Sequence, residues 1–383
     1  MSLEKFTILL APDSFKESLT AIEVCKAMKL GMHSVNSNIN VVSVPLADGG
    51  EGTLEALVKA NNGEVFYTDV LDPLGNTISA PYGILADQET AVVEMAKASG
   101  LMLVPNNKRN PLLTTTYGTG QLIKACLNHN VKKIIIGIGG SATNDAGVGA
   151  MQALGISFKD EKSLEIQFGG ANLRYIKCID SSRLDIRLKN VKIEIAGDVD
   201  NLLCGDFGAS KVFAHQKGAD DCEIAILEEN LRYYGGFLED LLKKELFSVK
   251  GLGAAGGLGC SLYAFLDAKM KSGIDIVIEN SKLEEKIKEA DMIWTGEGAI
   301  DDQTIFGKAP LGVAMLAKKH EKFVIVLAGK IGSNIDELYN KGVDAIFGII
   351  DKNSTDAELF NKASDNIKRT SENIIRLLSF NNI

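Results

Sequence analysis

Proline is scarce, at 7 of 383 residues, where about one residue in twenty is typical. The six cysteines, Cys25, Cys126, Cys178, Cys204, Cys222 and Cys260, never stand as C-x-x-C. With no secretory leader ahead of them they read as reduced, mostly buried thiols, not as a disulfide framework or a metal set. Only four histidines occur, none at metal-ligand spacing, which argues against zinc. No apolar run approaches the ~18–20 residues that would span a bilayer. The opening Met1-Ser-Leu-Glu-Lys-Phe6 offers neither an apolar signal core nor a small-residue cleavage site. A cytoplasmic protein is expected. Basic excess is missing too: 41 Lys and Arg face 50 Asp and Glu, a formal charge of −9. That balance argues against nucleic acid or an anionic membrane as the main partner, while an anionic small molecule could still meet a locally positive site.

Glycine is abundant instead, at 38 residues, roughly a tenth of the chain against about 7% in average proteins. Glycine without proline points to tight turns and close backbone approach. Short β-branched runs alternate with helical patterns, the signature of an α/β chain. Residues 6–11 and 40–46 read as strands, and a helix capped by Ser18 or Thr20 lies between them. From 63 to 96 three runs, 65–70, 79–85 and 90–95, follow one another as a meander. Helix–strand alternation then resumes with a helix at 116–129, a strand at 132–137 and a helix at 144–154. Further strands are expected at 191–196, 292–295, 323–328 and 344–350, and further helices at 253–270, 310–320 and 356–378. The economical reading is a doubly wound parallel-sheet domain built from both ends of the chain, residues 1–65 and 285–383, interrupted by an inserted α/β domain at 66–284.

In open parallel sheets ligands bind outside the carboxyl ends of the strands. Glycine and acidic residues concentrate there in six clusters: Asp13-Ser-Phe-Lys16, Asp48-Gly-Gly-Glu-Gly-Thr53, Gly139-Gly-Ser-Ala-Thr-Asn-Asp145, Asp198-Val-Asp-Asn201, Gly251 to Gly259, and Thr295-Gly-Glu-Gly298 followed by Asp301, Thr304 and Lys308. Gly139 and Gly140 permit positive φ, and Ser141, Thr143 and Asn144 are suited to cap the next helix, whose free amides would suit a phosphate. The plain alternative is a tight, well-capped turn. Gly251-x-Gly253-x-x-Gly256 matches G-x-G-x-x-G, but no clear strand precedes it, and a small-residue helix packed on a neighbour explains it equally well. Neither G-x-x-x-x-G-K-[ST] nor G-x-S-x-G occurs. Carboxylates in glycine-rich loops can hold Mg²⁺ through one or two oxygens or accept a proton from a hydroxyl, and Lys16 and Lys308 are placed to meet anionic charge. Each single charge could equally be a solvated surface group or a cap.

Taken in order, these clusters resemble the glycerate kinase family. The matching runs are Ala11 to Ala21, Pro45 to Thr53, Asp72-Pro-Leu-Gly75, Glu94 to Leu101, Arg109 to Gly120, Ile136 to Asp145, Gly197 to Gly205, Gln216-Lys-Gly-Ala219, Gly253 to Gly259, and Thr295 to Lys308. They cover nearly the whole chain. Two places depart from the pattern: Ala299 stands where a basic residue is common, and Ala214-His215 stand where Gly-Pro is common.

The resemblance implies ATP- and Mg²⁺-dependent phosphorylation of D-glycerate, usually at the 2-hydroxyl, on a flavodoxin-like domain interrupted by a second domain. The roles it suggests place Asp198, with Asp48 or Asp13, at the acceptor hydroxyl and Lys16 at anionic charge. Mg²⁺ is expected among Asp48, Asp200 and Glu297. Ser14, Gly49, Gly50, Gly139, Gly140, Ser141, Thr143, Asn144, Gly253, Gly256, Gly257 and Lys308 are the expected binding residues. A glycerate 3-kinase, a kinase of another small hydroxy acid, a dinucleotide-dependent oxidoreductase and a non-catalytic binder of phosphorylated metabolites are the competing readings. No nucleic-acid or membrane partner is expected, and a homodimer is left open.

Overall fold

The computed structural model describes residues 6–15, 18–47, 49–300, 309–333, 335–350 and 356–380. Thirteen strands run through these residues. β1 (Thr7–Leu10), β2 (Asn40–Ser43), β3 (Glu64–Leu71), β4 (Thr77–Ile84) and β5 (Thr90–Glu94) come first. β6 (Lys133–Gly137), β7 (Ser157–Lys159), β8 (Cys178–Asp180), β9 (Lys192–Ala196) and β10 (Lys269–Lys271) occupy the middle. β11 (Met292–Ile300), β12 (Phe323–Ile331) and β13 (Ala345–Gly348) close the series.

The chain divides into two units. One comprises residues 1–48, 55–61 and 273–383, the other 49–54 and 62–272. These breaks fall some residues from the sequence-derived boundaries near 65 and 285, and the glycine-rich stretch 49–54 goes with the second unit.

The first unit holds a five-stranded sheet in the order β13-β12-β11-β1-β2, every pair parallel. Numbered by appearance within the unit this is 2-1-3-4-5 read from the other edge, the flavodoxin-like order. β1 is apolar on both faces, as an interior parallel strand must be. The helix Ala21–Val35 begins at a capping box: Thr20 Oγ1 accepts from the Glu23 N–H at 3.2 Å, and Glu23 Oε2 accepts from the Thr20 N–H at 2.8 Å. It buries Val24, Cys25, Met28 and Met32 in the core with Trp294, Ile367 and Ile375. Gly31 lets this helix meet the helix Asp356–Phe380, since a Cβ there would lie 2.2 Å from the Lys368 carbonyl oxygen.

The second unit is built on a six-stranded sheet, β10-β9-β6-β5-β4-β3. β3, β4 and β5 pair antiparallel as the expected meander, and β5, β6, β9 and β10 are parallel. Ile134, Ile136, Ile193 and Ile195 pack beneath Leu122, Met151, Tyr234 and Leu258 in one large core. The 22-residue helix Asp221–Leu242, opened by an Asp220–Glu223 capping box, and the hairpin β7-β8 were not anticipated. Their patterns lie among charged residues that dilute the periodic signal.

Several expected elements shift. β11 continues past the expected 295 through Ile300, so Gly296 to Gly298 lie within the strand: Gly296 and Glu297 pair with Leu327 and Ala328, and Ala299 and Ile300 with Lys330 and Ile331. The helix expected at 144–154 starts only at Val148, behind Gly147 at φ +79°. Ser141, Thr143 and Asn144 therefore do not cap it; the buried Asp145 takes that place. Cys178 and Cys222 are exposed while the other four thiols are buried.

Candidate active site

The carboxyl ends of β5, β6 and β9 lie side by side in the second unit, and the glycine-rich stretch 49–54 rests on them. The Gly139 N–H donates to the Gly49 carbonyl at 3.1 Å. A Cβ on Gly49 would fall 2.4 Å from the Ala196 carbonyl oxygen, and one on Gly139 would fall 2.5 Å from the Gly50 Cα. Only glycine permits this approach. Glu94, buried at the end of β5, accepts from the Gly52 and Leu54 N–H groups at 3.1 and 3.2 Å and so anchors the stretch.

The next loop is pinned along one edge. The Leu101 N–H donates to Gly140 O at 2.8 Å and the Ala142 N–H to Ser99 O at 3.0 Å, while Thr114 Oγ1 donates to Ala142 O. Asp145, 1% exposed, accepts from the Thr116 N–H and hydroxyl at 2.8 Å each and from the Gly147 and Gly149 N–H groups at 3.1 and 3.3 Å. Burial raises its pKa; the four donors oppose the rise. Gly139 is half-buried and Gly140 exposed, so the loop reaches solvent there, whereas Ser141, Thr143 and Asn144 are buried.

Lys217 lies under this loop, 2% exposed. Its Nζ donates to Ser141 Oγ at 2.6 Å and to the Thr143 carbonyl at 2.7 Å. Desolvation pulls its pKa down to about 7, against an opposing pull from the Asp145 carboxylate. Sequence reasoning did not single it out. The one signal was a lysine set between Gln216 and Gly218 in a matching run; that it is buried is a property of the packing.

Gly256 is buried on the same loop's backbone, Gly257 against Ala146 just beyond it, and Gly253 against the backbone of Asn201 and Leu202. A Cβ on Gly256 would stand 2.0 Å from the Thr143 carbonyl oxygen, and the Ala146 N–H donates to Gly256 O at 3.0 Å. Residues 255–257 all have positive φ, at 53°, 65° and 86°. The expected continuous helix from Gly253 is thus broken by left-handed residues, and no strand leads into it. The G-x-G-x-x-G match is a packing device here and not a dinucleotide fingerprint, which removes the residue-level support for an oxidoreductase.

Asp198 and Asp200 follow β9 after Gly197 and are exposed. Asp200 pairs with Lys250 at 2.8 Å, and the Asn201 carbonyl accepts from the Gly253 N–H at 3.0 Å, tying this loop to the glycine turn. In the first unit Asp13 continues beside β11: its N–H donates to Gly296 O at 2.8 Å, and its Oδ1 accepts from the Ser14 N–H. Asp13 and Glu297 are both buried there, at 8% and 6% exposure. Lys16, Asp48, Asp301, Thr304 and Lys308 lie outside the described residues.

The chain is a doubly wound α/β protein, and in its second unit glycine-rich loops gather at strand ends over a buried cation. The particular family follows from comparison. The chain belongs to the glycerate kinase family, whose model matches residues 8–379. It is 48% identical to the glycerate 2-kinase of Escherichia coli K12 over 97% of this chain and 98% of that one. A glycerate kinase of Halalkalibacterium halodurans is 44% identical over 98% and 99%. A crystal structure from Salmonella typhimurium LT2 superposes with a TM-score of 0.89 at 43% identity, covering 99% of both chains. No described helix is long and apolar enough to cross a membrane.

Proposed function

We propose that this chain transfers the γ-phosphoryl group of ATP to D-glycerate, at the 2-hydroxyl. The observation that carries the reading is its full-length likeness to glycerate kinases, among them one named for the 2-position. The loops at the strand ends agree with it. Phosphoryl transfer is catalysed mostly by positioning and charge neutralisation, and the exposed backbone at Gly140 above a buried ammonium suits both. Gly256 and Gly257 support that loop at residues 143–146, and Gly253 packs on the loop that follows Asp198 and Asp200. Asp198 is our candidate for the group that orients or deprotonates the acceptor hydroxyl, with Asp13 and Asp48 as the other candidates. Lys16 is the proposed cation of the first strand end.

Mg²⁺ needs only one or two protein carboxylates when phosphates and waters complete its shell. Asp200, an exposed hard-oxygen donor at the end of β9, fits that requirement; among the described residues no three potential ligands stand together. When bound, the ion neutralises phosphate charge. A cytoplasmic setting is proposed.

The test is a coupled ADP-release assay with D-glycerate, with and without EDTA, followed by phosphorus NMR of the product. Turnover that needs the divalent ion and a phosphate coupled to the C2 proton are expected. Coupling to the C3 protons would replace the 2-hydroxyl by the 3-hydroxyl, and turnover only with another hydroxy acid would replace the substrate.

A further inference from the structure

The burial of Lys217, 2% exposed, demands a physical reason. Taking an ammonium out of water costs several kcal/mol even after relaxation. Asp145 compensates in part, from the loop ahead of Val148. Of the other charged groups on adjoining segments, His215 on the same turn is exposed, Asp220 and Glu223 cap their own helix, and Arg109, whose backbone lies against Gly218, is half-buried and is a second cation, not a counter-charge. A neutral glutamine amide could bond the loop at far lower cost. The positive charge is therefore what the position is built around.

The hydrogen-bond chemistry shows what that charge can do. An ammonium only donates, so Ser141 Oγ must accept in the 2.6 Å contact. Its own hydrogen is then turned away from Lys217 and left for another acceptor. Beside it Thr143 Oγ1 and Asn144 Nδ2 are buried with no hydrogen-bond partner among the described residues, and buried polar groups normally have one. Three side chains in four residues thus carry unspent polar capacity around one buried cation.

We propose that Lys217 is a positioning residue that turns the Ser141 hydroxyl into an obligate donor to an oxyanion of the ligand, and adds its charge beneath that contact. This rests on the reading of residues 139–143 as the anion-binding loop. The oxyanion is either a phosphate of the nucleotide or the carboxylate of the acceptor. A deprotonated Lys217 offers a lone pair, Ser141 can then donate inward, and the ligand loses its donor. Affinity for the anion falls as pH rises through about 7.

The experiment measures kcat and both KM values, for ATP and for D-glycerate, between pH 6 and 8.5. It compares the wild type with Lys217→Met, Lys217→Gln, Ser141→Ala and the Ser141→Ala/Lys217→Met double variant. Hydrogen exchange over residues 139–145, with each substrate, runs alongside. The expected result is a rise of about 10- to 100-fold in one KM for both single losses, the range for a charge-assisted hydrogen bond. The double variant should be no worse than Lys217→Met, and the lysine variants should lose the wild-type drift of that KM near pH 7. The substrate whose KM responds identifies the oxyanion. The ligand's own ionisation is common to all variants and cancels in the comparison. Unchanged KM values in Lys217→Met or Lys217→Gln, with lowered thermal stability only, would make the lysine purely structural and overturn the proposal. Should both lysine variants fail to fold, an unaffected Ser141→Ala would overturn it instead. Absent ligand protection over 139–145 removes the loop reading itself, whereas protection with flat KM values removes only Lys217.

Discussion

Gly256→Ala is the sharpest perturbation available in the second unit. The added Cβ would stand 2.0 Å from the Thr143 carbonyl oxygen and 2.6 Å from the Asn144 Cα, both backbone atoms. Contacts below about 3 Å do not occur for real Cβ atoms, so one backbone must retreat by about 1 Å. Overpacking of that kind costs about 1–3 kcal/mol, and alanine at φ +65° adds about 1–2 kcal/mol. The sum, about 2–5 kcal/mol, is large beside a domain stability of about 5–15 kcal/mol. Gly75→Ala is the control: the same unit, φ +86°, and nothing within 4 Å of the new Cβ. Only the backbone term applies there. Urea unfolding, with hydrogen exchange read over residues 139–145, should place Gly256→Ala about 1–3 kcal/mol below Gly75→Ala. Movement of the Thr143 carbonyl also strains its bond to Lys217, so the KM that depends on the loop should rise. Equal stability of the two variants, within about 0.5 kcal/mol, would refute the close approach and with it the packing role of this glycine turn.

Two further outcomes follow from the same geometry. Glu194, buried in the middle of β9, would have its pKa raised by desolvation, but Lys192, Lys271 and Lys133 outweigh that and hold it below its ordinary 4.5. A depressed carboxylate contributes stability that is present above its unfolded pKa and lost as pH falls through the folded one. The wild type should therefore lose stability as the pH drops below about 4.5, and Glu194→Gln should be less stable at pH 7, by about 1.5–3 kcal/mol as for a charged hydrogen bond, and lack that acid-side decline; a parallel decline in both would dismiss the ion cluster. Asp198→Asn should lower kcat by about 10²–10⁴ with glycerate affinity largely kept, as for an orienting or basic group. A drop in melting temperature with kcat nearly intact would move the role to Asp13 or Asp48.

Much of this was legible in the chain itself. The alternation of buried strands and helices, the meander at β3 to β5 and the gathering of glycines at strand ends are local patterns, set by the periods of strand and helix and by the glycine need of tight turns. They were enough to predict the α/β class, the interruption of one sheet by an insert, and the loops to watch. The helix after Asp145 was misplaced because its start is decided by a buried carboxylate collecting amides from Thr116, Gly147 and Gly149, partners up to 29 residues away. Gly296 to Gly298 looked like a loop because glycines are poor strand formers, and pairing of β11 with β12 on both sides of Gly298 overrides that preference.

Sequence alone therefore determined which residues could turn, cap, bury or carry charge, because those properties belong to single side chains and short spacings. Tertiary structure decided which of them share an environment. Nothing local distinguishes Lys217 from the chain's solvated lysines; it becomes a buried cation because Ser141 and Thr143, more than seventy residues earlier, are folded over it. Gly256 likewise is an ordinary small residue until the Thr143 carbonyl is brought against its Cα. Burial and proximity across long sequence separations arise only when the sheet is assembled, and the desolvation that shifts a lysine to about pH 7 arises with them.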